Sequence, residues 1–330
     1  MRVGATGLTP VALVAPSQPA PAAQPPQPTR GPFGPQPERD VHLLEQRFRY
    51  TYETPVRRLR HRLMVVPPVV HGRQHRLGHR VTTSGDPVLV SERSDGFGNH
   101  VVEVRATAVA EWIEFASWTL LATSGPPGVA PVPARAARDR RLLQPTALTR
   151  AEFGLDEVAR ELAGAGPGGL AMAERACTWS RRALTYEYGV TGVRTTAAEA
   201  VAGGRGVCQD YAHVMLALCR AAGLACRYVS GHLVGEGGSH AWVEVVVPDE
   251  SSPGRNGALA VAFDPTHDRR AGRDYFTVGV GRDYRDVAPT SGTFEGDAPG
   301  LLTAGKRLRR LDADAAVEAV AAGSTHIGPD

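Results

Sequence analysis

The sequence predicts an α+β protein: a small antiparallel β unit, then a larger domain of helices packed on an antiparallel sheet. Three observations carry this expectation. Apolar residues recur with period two between about 41 and 122, and helical spacing takes over near 149. Three strand-like runs then follow one another at 226–234, 241–247 and 259–263, joined by Gly/Ser/Pro-rich connections. A chain of 330 residues is long enough for two such units.

Residues 1–40 are rich in Pro, Ala and Gln and cannot bury enough apolar surface to offset ordering entropy, so a disordered tail is expected. From 41 to 122, Leu44, Phe48, Tyr50 and Tyr52 alternate with Glu45, Arg47, Arg49 and Thr51, the pattern of a half-buried strand. Leu59, Leu63 and Val65 alternate in the same way with Arg58, Arg60 and Arg62. Gly96-Phe97-Gly98-Asn99 marks a turn into a strand at 100–107, and 112–121 closes the unit. The arginines on its outer faces suit a solvated surface, with an acidic partner as the sharper alternative.

Residues 123–148, rich in Pro, Ala and Arg, read as a linker. The catalytic-type domain is expected over 149–300. Amphipathic helices are predicted at 152–163 and 170–188, with Cys177 and Trp179 in the core. Thr196-Ala197-Ala198-Glu199 reads as a capping box. Residues 301–330 read as a tail, frayed or ending in a peripheral helix. The run Pro248 to Gly257 reads as a long polar loop, either overhanging the cleft or solvated.

Composition narrows the function classes. A net charge of +3, with no long basic run and a single lysine (Lys306), gives no case for nucleic acid. Cys177, Cys208, Cys219 and Cys226 contain no C-x-x-C pair, so neither a structural zinc site nor a disulfide framework is expected. That usage suits a reducing compartment, and a cytoplasmic location is the expectation. No stretch approaches a membrane span, and Val11-Ala12-Leu13-Val14 is cut short by proline.

The densest chemistry lies at Gly204-Arg205-Gly206-Val207-Cys208-Gln209-Asp210-Tyr211-Ala212-His213. A glycine-rich turn runs into an apolar helical pattern (Val214, Met215, Leu218, Ala222) that Gly223 stops. Cys208 thus falls in the first helical turn, where unpaired N–H groups and the helix dipole favour an anion. The plainer reading of Cys208 is a small buried hydrophobe.

A thiol nucleophile needs a base, and the base needs an orienting group. His240 begins one predicted strand and Asp264 ends the next, so antiparallel pairing brings both to one rim of the sheet. Asp268 and Glu244 are the alternatives for the orienting carboxylate. Asp264 is preferred because a buried strand end holds a carboxylate rigidly. Among the other histidines, His213 is expected outside the immediate site or in solvent, His232 in the core and His267 exposed. His61, His71, His75, His79 and His100 show no metal-like spacing.

Several separated motifs agree in order with a known family. The run 206–212, together with 223–231, resembles the cysteine region of the bacterial transglutaminase-like superfamily. His240-Ala241-Trp242-Val243-Glu244-Val245 and Phe263-Asp264-Pro265-Thr266 resemble its histidine and aspartate motifs. Residues 280–287 with 292–294 are similar to a further segment. The β unit resembles the N-terminal region that often accompanies bacterial members.

The resemblance implies a papain-like, transglutaminase-like core and acyl transfer through a thioester. Cys208 is then the nucleophile, His240 the general base and Asp264 its orienter. Gln209 and Trp242 are candidates for oxyanion or supporting roles, with the Cys208 N–H as an oxyanion donor. It implies a peptide or protein substrate and neither a cofactor nor a metal. Hydrolysis or peptidase action is expected ahead of amine-accepting acyltransferase action. A non-catalytic binding module on the same fold is the competing reading, and the β unit is a candidate surface for a partner protein. Two positions depart from the family pattern: Ala260, where a tryptophan is usual, and His232, where an aromatic ring is common.

Overall fold

The computed structural model describes residues 40–84, 88–249, 257–297, 299–312 and 315. The expectation for residues 1–40 therefore falls almost wholly outside the described residues, as does most of the 248–257 loop.

Seven strands open the chain: β1 (Asp40–Thr51), β2 (Val56–Val66), β3 (Val70–His71), β4 (Gln74–Ser84), β5 (Val88–Ser94), β6 (His100–Val109) and β7 (Trp112–Thr123). Then come β8 (Val129–Pro133), a 3-10 turn at Ala134–Arg138, α1 (Arg140–Leu143), α2 (Leu155–Gly164) and α3 (Leu170–Ala183). They are followed by β9 (Thr185–Tyr186), α4 (Ala197–Gly203), β10 (Arg205–Gly206) and α5 (Cys208–Ala221). The remaining elements are β11 (Cys226–Leu233), β12 (His240–Pro248), β13 (Gly257–Asp264), β14 (Arg269–Arg270), β15 (Tyr275–Gly281), α6 (Tyr284–Val287), β16 (Thr290–Glu295) and β17 (Leu301–Arg310).

Two sheets form an N-terminal sandwich, ordered β17-β1-β7-β4-β3 and β16-β2-β6-β5. Alternation drives it. Phe48, Tyr50, Leu59, Leu63, Val102, Val104, Ile113 and Phe115 all point into one buried cluster, while the intervening arginines stay in water. The core sheet runs β14-β13-β12-β11-β15, with β8 beside β13. Helix α5 lies on it, buried from Gln209 to Arg220, and α2, α3 and α4 contribute side chains to the same core cluster. The predicted α+β architecture is the one observed. No helix among the described residues is long and apolar enough to cross a membrane.

Three boundaries differ from expectation. Residues 123–148 are a docked layer rather than a linker. Strand β8 pairs with β13 through Val129–Pro133, and Leu142 and Ala130 share a cluster with Ala258 and Ala260. Proline misled the reading here because β8 is an edge strand, where a missing N–H costs no ladder bond. Ala260 is buried in this cluster, paired in register with Ala130 of β8. Residues 301–310 form a strand on β1, and 290–295 form one on β2, so both belong to the N-terminal sandwich. Leu302, Ala304 and Leu308 do alternate inward, but Lys306 interrupts the apolar row. Finally, α3 stops at Ala183, because Leu184 turns extended and Thr185-Tyr186 pairs in parallel with β10.

The sandwich is clipped to the core by polar side chains. Gln74 and Thr277 exchange two bonds, Nε2 to the Thr277 carbonyl at 2.8 Å and the Thr277 N–H to Oε1 at 2.9 Å. Asn99 treats Val280 alike, at 2.7 and 2.8 Å. Both amides thus satisfy the free edge of β15. Glu244, buried, accepts from Arg227 Nε at 2.6 Å and lies 2.7 Å from His71 Nε2. Burial alone would raise its pKa, but Arg227 and His71 together bring it down to about 2.

A carboxylate depressed below its ordinary 4.5 stabilises the fold above that pH, and the contribution is lost as pH falls toward 2. Glu244→Gln should cost about 3 kcal/mol at neutral pH by leaving Arg227 buried without a counter-charge. Urea unfolding at neutral pH and at about pH 3 should show the difference from wild type shrinking at the lower pH.

Candidate active site

Cys208 is the first residue of α5, and the helix start is fixed by Asp210. Its Oδ2 accepts from the Val207 N–H at 2.8 Å and from Thr191 Oγ1 at 2.6 Å. Gly206 is obligatory there, since a Cβ would run into the Asp210 side chain. The Asp210 and Tyr211 N–H groups both return to the Val207 carbonyl. Among the described residues, no acceptor satisfies the Cys208 or Gln209 backbone N–H, which are thus open donors beside the thiol.

His240 opens β12 and Asp264 closes β13, the neighbouring antiparallel strand. His240 Nε2 lies 2.8 Å from Asp264 Oδ2. The same imidazole lies within electrostatic reach of the Cys208 thiol. The fold therefore brings together the three residues that sequence spacing proposed. Because an ionised carboxylate only accepts, Nε2 carries the hydrogen toward Asp264. Burial alone would lower the His240 pKa, but the Asp264 hydrogen bond and the thiol contact push it up to about 10. Asp264, with no solvent exposure, is held well below the usual carboxylate range despite its burial, chiefly by His240, then by Tyr275 and His267.

Trp242 lies flat under the imidazole, its ring centroid 6.1 Å away and 28° from parallel. It is fully buried, and a Cβ at Gly231 would collide with its ring and with the Phe276 carbonyl. That close approach falls at a β-bulge between Ser230 and Gly231. Trp242 thus packs beside the imidazole. Gln209 commits one amide N–H to the Gly192 carbonyl at 3.2 Å.

The alternative carboxylates are engaged elsewhere: Glu244 with Arg227 and His71, and Asp268 with Thr178 Oγ1 at 2.8 Å. His232 is buried as expected, with Nδ1 3.2 Å from the Gly238 carbonyl, and burial lowers its pKa to about 3. His213 departs from expectation. It has no exposure, accepts from the Tyr284 N–H at 3.3 Å and packs on Tyr228. Helix α5 is buried all round, so no position five residues from the thiol could face solvent.

His267 is likewise more than an exposed turn residue, since its Nδ1 lies 2.7 Å from Asp264 Oδ2. Tyr275 donates its hydroxyl to the same oxygen at 2.6 Å and receives Arg269 Nε at 2.9 Å. Glu236 stands on the solvent side, 3.4 Å from His240 Nδ1 and 3.6 Å from His267 Nε2. Sequence reasoning passed over Tyr275 and Glu236, because neither belongs to a motif and only the sheet places them. Lys306 sits over Phe48, 5.4 Å from its ring centroid. It lies within electrostatic reach of the Cys208 sulfur, and burial pulls its ammonium down to about 8.

A thiol at a helix N-terminus lies near an imidazole that a strand-end carboxylate holds, on a core of helices packed against an antiparallel sheet. Residues 156–252 match the transglutaminase-like superfamily, and residues 43–117 match the bacterial transglutaminase-like N-terminal region. The chain belongs to the transglutaminase-like superfamily and carries that N-terminal region.

An uncharacterised Mycobacterium leprae protein is 38% identical over 165 residues, which are 47% of this chain and 55% of that protein, so the chain spans about half of that relative's length. An uncharacterised Mycobacterium tuberculosis protein is 34% identical over 254 residues, 67% of this chain and 77% of its own. The crystal structure of a proposed cysteine protease from Cytophaga hutchinsonii aligns with TM-score 0.65 at 20% identity, over 84% of this chain and 92% of that one. This likeness shows a shared fold.

Cys177, Cys219 and Cys226 are buried and Cys208 is not. Iodoacetamide at about pH 6 should therefore modify Cys208 alone in the native protein, as read by peptide mass spectrometry. His240→Ala should slow that modification at pH 6 far more than at about pH 9, where a thiol ionises without help. Equal rates for both proteins at pH 6 would contradict the thiol–imidazole pairing.

Proposed function

We propose that this protein is a cysteine hydrolase of the transglutaminase-like type, acting on amide or peptide bonds through a thioester. The observation that carries the reading is the buried His240–Asp264 bond of 2.8 Å, with the Cys208 thiol within electrostatic reach of the same imidazole.

The chemistry follows from those positions. The Cys208 sulfur, as thiolate, attacks the substrate carbonyl carbon, and the carbonyl electrons move to oxygen. The open N–H groups of Cys208 and Gln209 are placed to receive that oxyanion. His240 gives its Nδ1 proton to the departing amine as the C–N bond breaks, leaving a thioester on Cys208. The neutral ring then takes a proton from water, whose oxygen attacks the thioester. The carboxylic acid leaves and the thiolate–imidazolium pair returns. Asp264 keeps Nε2 protonated and the ring aligned throughout.

Water is the acceptor because it is always present, whereas nothing in the described site marks a lysine-binding surface for a crosslinking partner. The free state of all four cysteines supports action in a reducing compartment such as the cytoplasm.

A peptide-amide library incubated with the enzyme, with and without a millimolar primary amine, tests the proposal by mass spectrometry. Carboxylic acid products formed in the presence of amine support hydrolysis, whereas amide products assign acyltransferase action. Cys208→Ala should abolish turnover, and Asp264→Asn should lower kcat by roughly 10²–10⁴-fold. Turnover by Cys208→Ala equal to wild type would remove the mechanism. A wild-type protein that binds library peptides without turning them over would be a binding module.

A further inference from the structure

Three side chains that the sequence keeps apart converge at one edge of the N-terminal sandwich, between its two sheets. They are His79 on β4, Glu92 on β5 and His100 at the start of β6. His100 Nε2 lies 2.9 Å and His79 Nε2 lies 3.3 Å from one carboxylate oxygen of Glu92. The two imidazole rings meet edge to face, 4.8 Å between centroids, and the three candidate ligand atoms all fall within 4.8 Å of one another. We propose that His79, Glu92 and His100 form a binding site for a divalent transition metal ion, zinc above all, separate from the Cys208 cleft.

The donor set is the first argument. Two imidazole nitrogens and one carboxylate are the ligands of open three-coordinate protein zinc centres, in which water takes the fourth position. Spacing is the second. A tetrahedral ion about 2.0–2.1 Å from each ligand sets neighbouring ligand atoms roughly 3.3 Å apart, and the observed contacts of 2.9 and 3.3 Å need only a small outward shift. Accessibility is the third. The side chains keep 21% (His79), 15% (His100) and 41% (Glu92) of their exposure, enough for an ion to enter and retain water.

Binding would move each ring hydrogen from Nε2 to Nδ1, freeing both Nε2 lone pairs for the metal beside the Glu92 carboxylate. Arg76, anchored on the Pro67 carbonyl at 2.8 Å, adds positive charge near both histidines and opposes cation binding.

The site has a structural consequence. Strand β4 belongs to one sheet of the sandwich, whereas β5 and β6 belong to the other. Strand β5 is an edge strand, mostly exposed, so an ion bound here would tie that edge to the opposite sheet.

The test uses full-length protein carrying Cys208→Ala, so that the cleft thiol cannot bind metal, after treatment with a chelator. Zinc is titrated by calorimetry, and cobalt by its visible absorption. One equivalent should bind with Kd of about 1–10 µM, and saturating zinc should raise Tm by at least about 3 °C. His79→Asn and Glu92→Gln should each weaken binding at least tenfold while keeping the metal-free Tm. Arg76→Gln should tighten it, and His267→Asn, which removes a ligand-type side chain beside Asp264, should leave it unchanged. Binding weaker than millimolar, binding kept in both His79→Asn and Glu92→Gln, or binding lost in His267→Asn would overturn the assignment.

Discussion

A carboxylate shut away from water governs the candidate site. Asp264 has no exposure, yet five donors reach it. His240 Nε2, His267 Nδ1 and the Tyr275 hydroxyl meet Oδ2 at 2.8, 2.7 and 2.6 Å. The Thr266 and His267 N–H groups meet Oδ1 at 2.9 and 3.3 Å. A buried anion would be prohibitively costly without such compensation. With it, the charge becomes a rigid anchor that dictates which imidazole nitrogen bears a hydrogen. Tyr275 shares the constraint: burial and then the Asp264 charge raise its pKa, so it remains a donor. Arg269 closes the chain by donating to the Tyr275 oxygen.

The N-terminal sandwich is part of the same construction rather than an appended module. Strand β15 ends the core sheet, and its free backbone groups are matched by the Gln74 and Asn99 amides. After β15 the chain returns to the sandwich and completes both of its sheets, through β16 on β2 and β17 on β1. Removing residues 41–122 would thus strip partners from β15 and strand β16 and β17 without their sheets. The arrangement also brings Lys306 within electrostatic reach of the Cys208 sulfur.

The sequence carried the central geometry because that geometry is local. A glycine-rich turn before an apolar helix places Cys208, and two consecutive strands joined by one loop place His240 and Asp264. What it hid was long-range. Tyr275 reaches Asp264 only after the sheet forms, and Gln74 and Asn99 carry no pattern that announces a partner some two hundred residues away. His79 and His100 lack metal-like spacing along the chain and become neighbours only when β4 is laid beside β5 and β6. Proline in β8 and lysine in β17 each broke a periodicity that edge positions tolerate, so those strands read as linker and tail. His213 was misjudged for a different reason. A helix covered on every side has no solvent face, and helical phase alone does not reveal that.

Helix α5 shows how the thiol is held in place. At its N-terminus Asp210 captures the Val207 N–H and Thr191, and at its C-terminus Arg220 reaches four oxygens. These are the Leu142, Cys226 and Arg282 carbonyls and Thr149 Oγ1, at 3.3, 3.2, 2.7 and 2.6 Å. An anion at the first end and a cation at the last also match the helix dipole. Both ends are thereby tied to surrounding loops, and the apolar face is buried against the sheet that carries His240. Positioning within about 0.5 Å requires rigid elements of this kind, with side chains locked by packing and by further hydrogen bonds. The exposed wall is built differently: Glu236 lies among Gly235, Gly237 and Gly238, where backbone freedom is greatest. Rigidity is thus concentrated where sulfur, imidazole and carboxylate meet, and the glycines lie beside Glu236 on the exposed wall.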